Sequence, residues 1–170
     1  MRRIGITGGI GSGKSVVSRL LRIMGYSVYD TDSEAKRLME SSLEVVQKLS
    51  ECFGRDIYHN GRLNRGLLSS RVFGESDKIV LLNSIVHPVV RFDFYRWSES
   101  LNEEICFVES AILYESRFDE LVDEVWTVTA PEELRIGRVR QRSGLTEEEI
   151  KKRMAAQLSE EEKQRRAAHI

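Results

Sequence analysis

Only two cysteines occur in the 170 residues, Cys52 and Cys106. Neither stands in a C-x-x-C pair, which excludes a metal knuckle and a redox motif. Cys106, inside the apolar run ICFV, reads as a buried small hydrophobe, and nothing else speaks for an oxidising compartment. No apolar run approaches the ~20 residues that span a bilayer. The stretch after the two N-terminal arginines, IGITGGIG, is too short and too glycine-rich for a signal peptide. A cytoplasmic protein without a membrane partner is the expectation. Charge of one sign is missing too. The formal net charge is −1, so no global field draws the protein to nucleic acid or to anionic lipid. Aromatic residues, at 8% and without a stacking pattern, offer no nucleic-acid platform. There is no repeat, no low-complexity segment and no signal for a particular oligomeric state. What remains is the composition of an ordinary globular chain, long enough for one core with an inserted subdomain.

RRIGIT is a short apolar run ending at glycine, as a buried strand should be. Lys14 to Met24 then carries Val16, Val17, Leu20, Leu21 and Met24 at helical spacing and stops at Gly25. YSVYD predicts a second strand ending in an acid. Strand, glycine loop, helix and strand make a βαβ unit, and so imply a parallel sheet with a right-handed crossover. From about Ser33 to Glu103 the pattern turns helical. Leu38, Met39, Val45, Val46, Leu49 and Phe53 fall at helical intervals, followed by a turn-rich interruption, GRDIYHNGRLN. Leu67, Leu68, Val72 and Phe73 predict a helix closing at Gly74. Ile79, Leu82, Ile85 and Val86 predict another, with Pro88 in the first turn of the next. Alternation resumes with the strand runs EICFVESAIL and DEVWTVTA. Pro131, Glu132 and Glu133 mark a helix start, and TEEEI and SEEEK fit the capping box. The sequence stops at AAHI, where another strand would be starting.

Gly8, Gly13, Lys14 and Ser15 complete the pattern G-x-x-x-x-G-K-[ST] between a predicted strand and a predicted helix. Glycines there let backbone N–H groups turn toward phosphate oxygens. Lys14 can reach the β- and γ-phosphates, the Ser15 hydroxyl can ligate Mg²⁺, and the helix N-terminus adds its positive end. The pattern identifies a nucleoside triphosphate site without separating kinases from GTPases or motors. No clean Walker B aspartate ends the third strand, which counts against a motor. Asn, Lys and Asp nowhere follow the N-K-x-D order of a GTPase.

Asp30 and Asp32 stand at the carboxyl end of the second strand, the edge where open α/β sheets bind ligands. A carboxylate there can take a proton from an attacking hydroxyl or help to hold a metal. In DSEA, Asp32 reads equally well as a helix N-cap. Arg135, Arg138, Arg140 and Arg142 form a basic run without an acid between them. On a helix Arg138 and Arg142 share a face and repel, which invites an anion such as a transferring phosphoryl group. A solvated basic face is the plain alternative, but beside a phosphate loop a closing lid is favoured. His87 in IVHPVV is by itself more often structural than catalytic.

The ordered set GITGGIGSGKS, DTDSEAKR, IVHPVV, AILYES and RVRQRSGLTEEEIKKRMAAQ resembles the dephospho-coenzyme A kinases over nearly the whole chain. The resemblance implies a P-loop NTPase-type three-layer α/β/α fold with a parallel sheet. Residues 1–32 and 105–170 would form the nucleotide-binding core, with a small helical lid at 135–150, and residues 33–104 a helical substrate-binding insertion. It implies transfer of the ATP γ-phosphoryl group, with Mg²⁺, to the 3′-hydroxyl of dephospho-coenzyme A. Another P-loop nucleotide or sugar-acid kinase, or a non-catalytic ATP-binding module, is the alternative. By position, Asp32, Lys14, Arg138 and Arg142 would be catalytic. Gly8, Gly9, Gly11, Ser12, Gly13, Lys14, Ser15 and Val16 would hold ATP, and Thr7, Asp32, His87 and Glu115 the acceptor. Ser15, with Asp32 as a second candidate, would hold the metal. Three departures stand out: Val16 for the usual threonine, SAILYE for a P-L-L-F-E-like run, and Ser143 for the aspartate after the lid arginine. Family members continue past AHI into a final strand and helix that form part of the adenine wall.

Overall fold

The computed structural model describes residues 1–72 and 74–170. Its elements run β1 (Arg2–Thr7), α1 (Lys14–Ile23), β2 (Ser27–Asp30), α2 (Thr31–Ser41), α3 (Leu43–Phe53), β3 (Tyr58–His59), β4 (Arg62–Leu63), α4 (Arg65–Val72) and α5 (Ser76–Ser100). They continue as β5 (Ile105–Glu109), β6 (Glu124–Thr127), α6 (Glu132–Ser143), α7 (Glu147–Ala155) and α8 (Glu160–Arg166). The chain divides into two compact units, Met1–Asp30 with Trp97–Ile170, and Thr31–Arg96. The return boundary falls earlier than residue 104 because the last turn of α5 belongs with the sheet. There the Trp97 ring packs 5.3 Å from that of Tyr29, and the Arg3 Nε donates to the Ser98 hydroxyl at 3.0 Å.

In the first unit β1 is central. The sheet order is β2-β5-β1-β6, and every pairing is parallel, with Ile4 opposite both Phe107 and Glu124. Ile4 to Thr7 are all buried. A strand covered on both faces loses polar–apolar alternation, which is why RRIGIT reads as a continuous apolar run. Ile4, Ile6, Leu21 and Phe107 form the core cluster, flanked by Val17, Val28 and Trp126. Burying a side chain of this size is worth roughly 1.5–3 kcal/mol. Phe107 meets Tyr26 and Trp126 edge-on, at 5.5 and 5.4 Å between ring centres. Of the apolar residues that predict α1, only Leu21 is buried, while Val16, Leu20 and Met24 lie on the surface. Beyond α8 the Ala168 N–H donates to the Val125 carbonyl and the Thr127 N–H to that of His169, both at 2.8 Å. His169 thereby bridges Trp126 in parallel, as the strand-like ending of the sequence suggests.

The second unit is helical around a small hairpin. The Ser42 side chain caps α3 by accepting the Val45 N–H. Val45, Leu49 and Phe53 then fall on its buried face. Inside the stretch read only as turn-rich, β3 and β4 pair antiparallel across Asn60 and Gly61. Both turn residues have positive φ, 50° and 75°, the two-residue turn that Asn-Gly favours. α4 ends at Val72. Phe73, assigned to that helix by its spacing, lies outside the described residues. Pro88 does not begin a new helix: α5 runs through it from Ser76 to Ser100. Val86, Val90 and Phe94 are buried at four-residue steps on both sides of the proline. Keeping that face continuous outweighs the loss of one ladder hydrogen bond.

Candidate active site

The turn from β1 to α1 is built by glycines. Gly8, Gly11 and Gly13 have φ of 141°, 81° and 111°. A Cβ on Gly8 would overlap the Val128 carbonyl oxygen, and one on Gly11 would meet the Arg135 carbonyl oxygen at 2.5 Å. Only glycine satisfies both the dihedrals and the close approach. The Ser12 N–H donates to the Gly9 carbonyl at 3.1 Å, and the Val16 N–H to Gly13 at 2.9 Å, where α1 begins. Lys14 turns its Nζ back over the loop, 2.8 Å from the Gly8 carbonyl and 3.2 Å from that of Gly9. Ser15 is exposed in the first turn of α1. Loop amides, a helix N-terminus, an ammonium and a hydroxyl thus converge, the ingredients of a polyphosphate site. The Thr7 and Ser12 hydroxyls are buried at this turn without a hydrogen-bond partner among the described residues.

The basic run lies on α6, and its arginines are not equivalent. Arg138 donates from Nη1 to the Gly11 and Ser12 carbonyls at 3.3 and 3.1 Å. Arg140 is 3.8 Å from Glu147. Arg142 is exposed. Arg135 is only 5% exposed and forms an ion pair with Glu160 of α8 at 2.8 Å. α6 closes at Gly144 in the left-handed region, and Ser143, standing where the family's aspartate would be, bonds back to the Val139 carbonyl at 2.7 Å. The capping box at Thr146 forms in full. At Ser159 only half forms. Its hydroxyl accepts the Glu162 N–H at 3.2 Å, while the Glu162 carboxylate is taken by Arg165 and Arg166.

Further contacts tie the segment around α8 to the loop and to residues 111–115. The Gln157 side-chain oxygen accepts the Ile10 N–H at 3.0 Å, and Glu115 accepts the Leu158 N–H at 2.6 Å. Lys163, fully buried, donates to the Ala111 carbonyl at 2.9 Å and lies 3.7 Å from Glu115. Burial pushes its ammonium below the usual lysine range, and Glu115 and Glu160 oppose that. The sequence places Arg135 in a lid run and Glu115 among the acceptor contacts, but Gln157, Glu160 and Lys163 sit in a stretch that reads as a polar helix face, and nothing in it signals this set.

The remaining candidates lie elsewhere in the chain. Asp32 belongs to the second unit. It stands inside the first turn of α2, which begins at Thr31 directly after β2. The N-cap reading of DSEA is therefore not what forms, and the carboxylate instead sits at the favourable end of the helix dipole. His87, also in the second unit, is half-buried on α5. Burial lowers its proton affinity, and Arg91 lowers it further, so its imidazole stays neutral into more acidic solution. Among the described residues no group of three His, Cys, Asp or Glu side chains could hold a metal ion, and both cysteines are free. Among those residues, too, no helix is long and apolar enough to cross a membrane.

A glycine-built loop between the central strand and the first helix of a parallel sheet, with a cationic helix on its rim, defines a P-loop NTPase-type α/β protein. Similarity to known proteins narrows this class. The family model described as CoaE, Dephospho-CoA kinase, matches residues 2–170. Dephospho-CoA kinase of Porphyromonas gingivalis is 45% identical over 161 residues, 95% of this chain and 80% of that one. A crystal structure from Thermus thermophilus superposes with a TM-score of 0.84 at 39% identity, covering 99% of this chain and 86% of the other. Dephospho-CoA kinase from Campylobacter jejuni superposes with a TM-score of 0.72 at 25% identity, covering 100% and 88%. The chain belongs to the dephospho-CoA kinase family.

Proposed function

We propose that this protein transfers the γ-phosphoryl group of ATP to the 3′-hydroxyl of dephospho-CoA, the closing step of coenzyme A formation, in the cytoplasm. The observation that carries the reading is a complete phosphate loop in a chain that matches the family from residue 2 to residue 170. The amides of Gly8 to Ser15 hold the phosphate oxygens, and Lys14 bridges toward the β- and γ-phosphates. Arg138, seated on the loop rim, and Arg142, exposed on α6, balance the charge spread over the transferring group. Asp32 takes the 3′-hydroxyl proton as the new O–P bond forms and the bond to the β-phosphate oxygen breaks, leaving ADP. His87 and Glu115 contact the acceptor, while Thr7, fully buried at the end of β1, has no surface to offer it.

The Ser15 hydroxyl, a hard oxygen donor accessible in the first turn of α1, suits a Mg²⁺ carried mainly by the nucleotide. Ser15, with Asp32 as a second candidate, would hold the ion, which would neutralise the β- and γ-oxygens. A coupled ADP-release assay with ATP, Mg²⁺ and a panel of acceptors tests the reading. Dephospho-CoA should be the acceptor turned over. Turnover of a nucleoside monophosphate or a sugar acid in its place would refute the assignment.

A further inference from the structure

The P-loop rests on charge. An added Cβ on Gly9 would overlap the Glu160 Oε1 and lie 2.6 Å from the Arg135 Nη1, so this ion pair abuts the loop backbone directly. Both side chains are largely out of solvent, Arg135 at 5% and Glu160 at 20% exposure. The pair is charge-matched but not hydrogen-bonded in full. Arg135 Nε and Nη1 and Glu160 Oε2 are buried without a hydrogen-bond partner among the described residues. Lys163 and Glu115 complete a four-charge group whose formal sum is zero, and each member is anchored on α6, on α8 or on the 111–115 segment. The same chain segment grips the loop through Gln157 on the Ile10 N–H.

We infer that Arg135 and Glu160 are positioning residues of the nucleotide site: this buried, balanced pair sets how tightly the loop binds the triphosphate. The inference rests on reading the loop as the ATP site. Neither residue need touch the nucleotide. A desolvated charge beside the loop acts on a bound polyanion through a weakly screened medium, whereas an exposed charge at the same distance would be damped by water. While both charges are present their fields at the phosphates largely cancel. Removing either one leaves its partner uncompensated, and the two removals have opposite signs.

The test is ATP binding by titration calorimetry for wild type, Glu160→Gln, Arg135→Met and the double variant, with thermal unfolding of each. Glu160→Gln leaves a bare guanidinium and tightens ATP binding. Arg135→Met leaves a bare carboxylate and weakens it by about tenfold. Both single variants melt earlier than wild type, because each strands a buried charge. The neutral double variant returns ATP affinity close to the wild-type value. Arg135→Lys, which keeps the charge, supplies a folded alternative if Arg135→Met does not fold, and it should hold wild-type affinity. In turnover the effect enters KM for ATP rather than kcat. Parallel shifts in ATP affinity for both single variants, or no shift alongside a lower Tm, would reduce the pair to a structural role and overturn the inference. Wild-type turnover of dephospho-CoA is followed in the same series. Its failure would count against the proposed acceptor, while the affinity split is judged on ATP binding alone.

Discussion

Asp32 and Gly11 carry opposite kinds of constraint. Asp32 is a chemical requirement: a carboxylate acting as base matters chiefly in the transition state, so its amide analogue should bind ATP normally and turn over poorly. Asp32→Asn is expected to lower kcat by roughly 10²- to 10⁴-fold with ATP affinity kept, read by steady-state kinetics beside calorimetry. An unchanged kcat would remove Asp32 from the role of base. Gly11 is a geometric requirement. Its φ is 81°, and a Cβ there would stand 2.5 Å from the Arg135 carbonyl oxygen, so alanine has no conformation that preserves the loop. Gly11→Ala costs about 1–2 kcal/mol from the dihedral alone and more from displacing α6. Raised KM for ATP together with a lower Tm is the signature to look for. Wild-type values for both would mean that the loop relaxes freely.

At the level of elements, capping and packing decide what propensity leaves open. Thr146 and Glu149 exchange hydrogen bonds at the start of α7, and Ile150 beneath them is fully buried. Thr146→Ala removes that cap and should destabilise by about 1 kcal/mol. Denaturant unfolding gives the magnitude, and faster amide exchange confined to 147–155 gives the location. An unchanged midpoint would mean that Ile150 alone holds the helix. The box was legible in TEEEI because both partners lie within one turn. In SEEEK the same pattern half-failed, since Glu162 meets Arg165 and Arg166 on its own helix. Pro88 misled for a related reason: local chemistry marks a helix start, whereas Val86, Val90 and Phe94 demand one unbroken face. The Asn60–Gly61 hairpin was readable from its turn residues, yet two-residue strands offer no alternation to announce them.

For the molecule as a whole, burial of ionisable groups shapes its response to pH. The Tyr58 hydroxyl donates to the Met39 carbonyl at 2.6 Å. Burial, aided by Glu40, raises its pKa from 10.0 to about 12. Between those values the unfolded chain has lost a proton that the folded chain keeps. Stability is therefore intact below pH 10 and declines as pH climbs toward about 12. Tyr58→Phe should flatten this alkaline decline while lowering stability at neutral pH through the lost hydrogen bond. Urea midpoints followed from neutral to alkaline pH check it, and an equally steep decline in the variant would assign the loss to other groups. Burial also raises Tyr114 and Cys106, whose contributions run in the same direction.

Short-range chemistry could be read with no fold in hand. The phosphate loop, the βαβ opening, the capping box, the parallel sheet and the family all follow from residues that act on near neighbours or recur at fixed spacing, so no distant partner is needed to read them. Which charges are buried was settled by packing and by nothing local. Arg135, Glu160 and Lys163 lie on α6 and α8, helices of polar composition, and nothing within either helix distinguishes them from solvated neighbours. Their burial is set by where the chain packs α8 against the loop. Desolvation is a property of that packing, and it turns three ordinary surface-type residues into a largely desolvated charge group beside the phosphate loop.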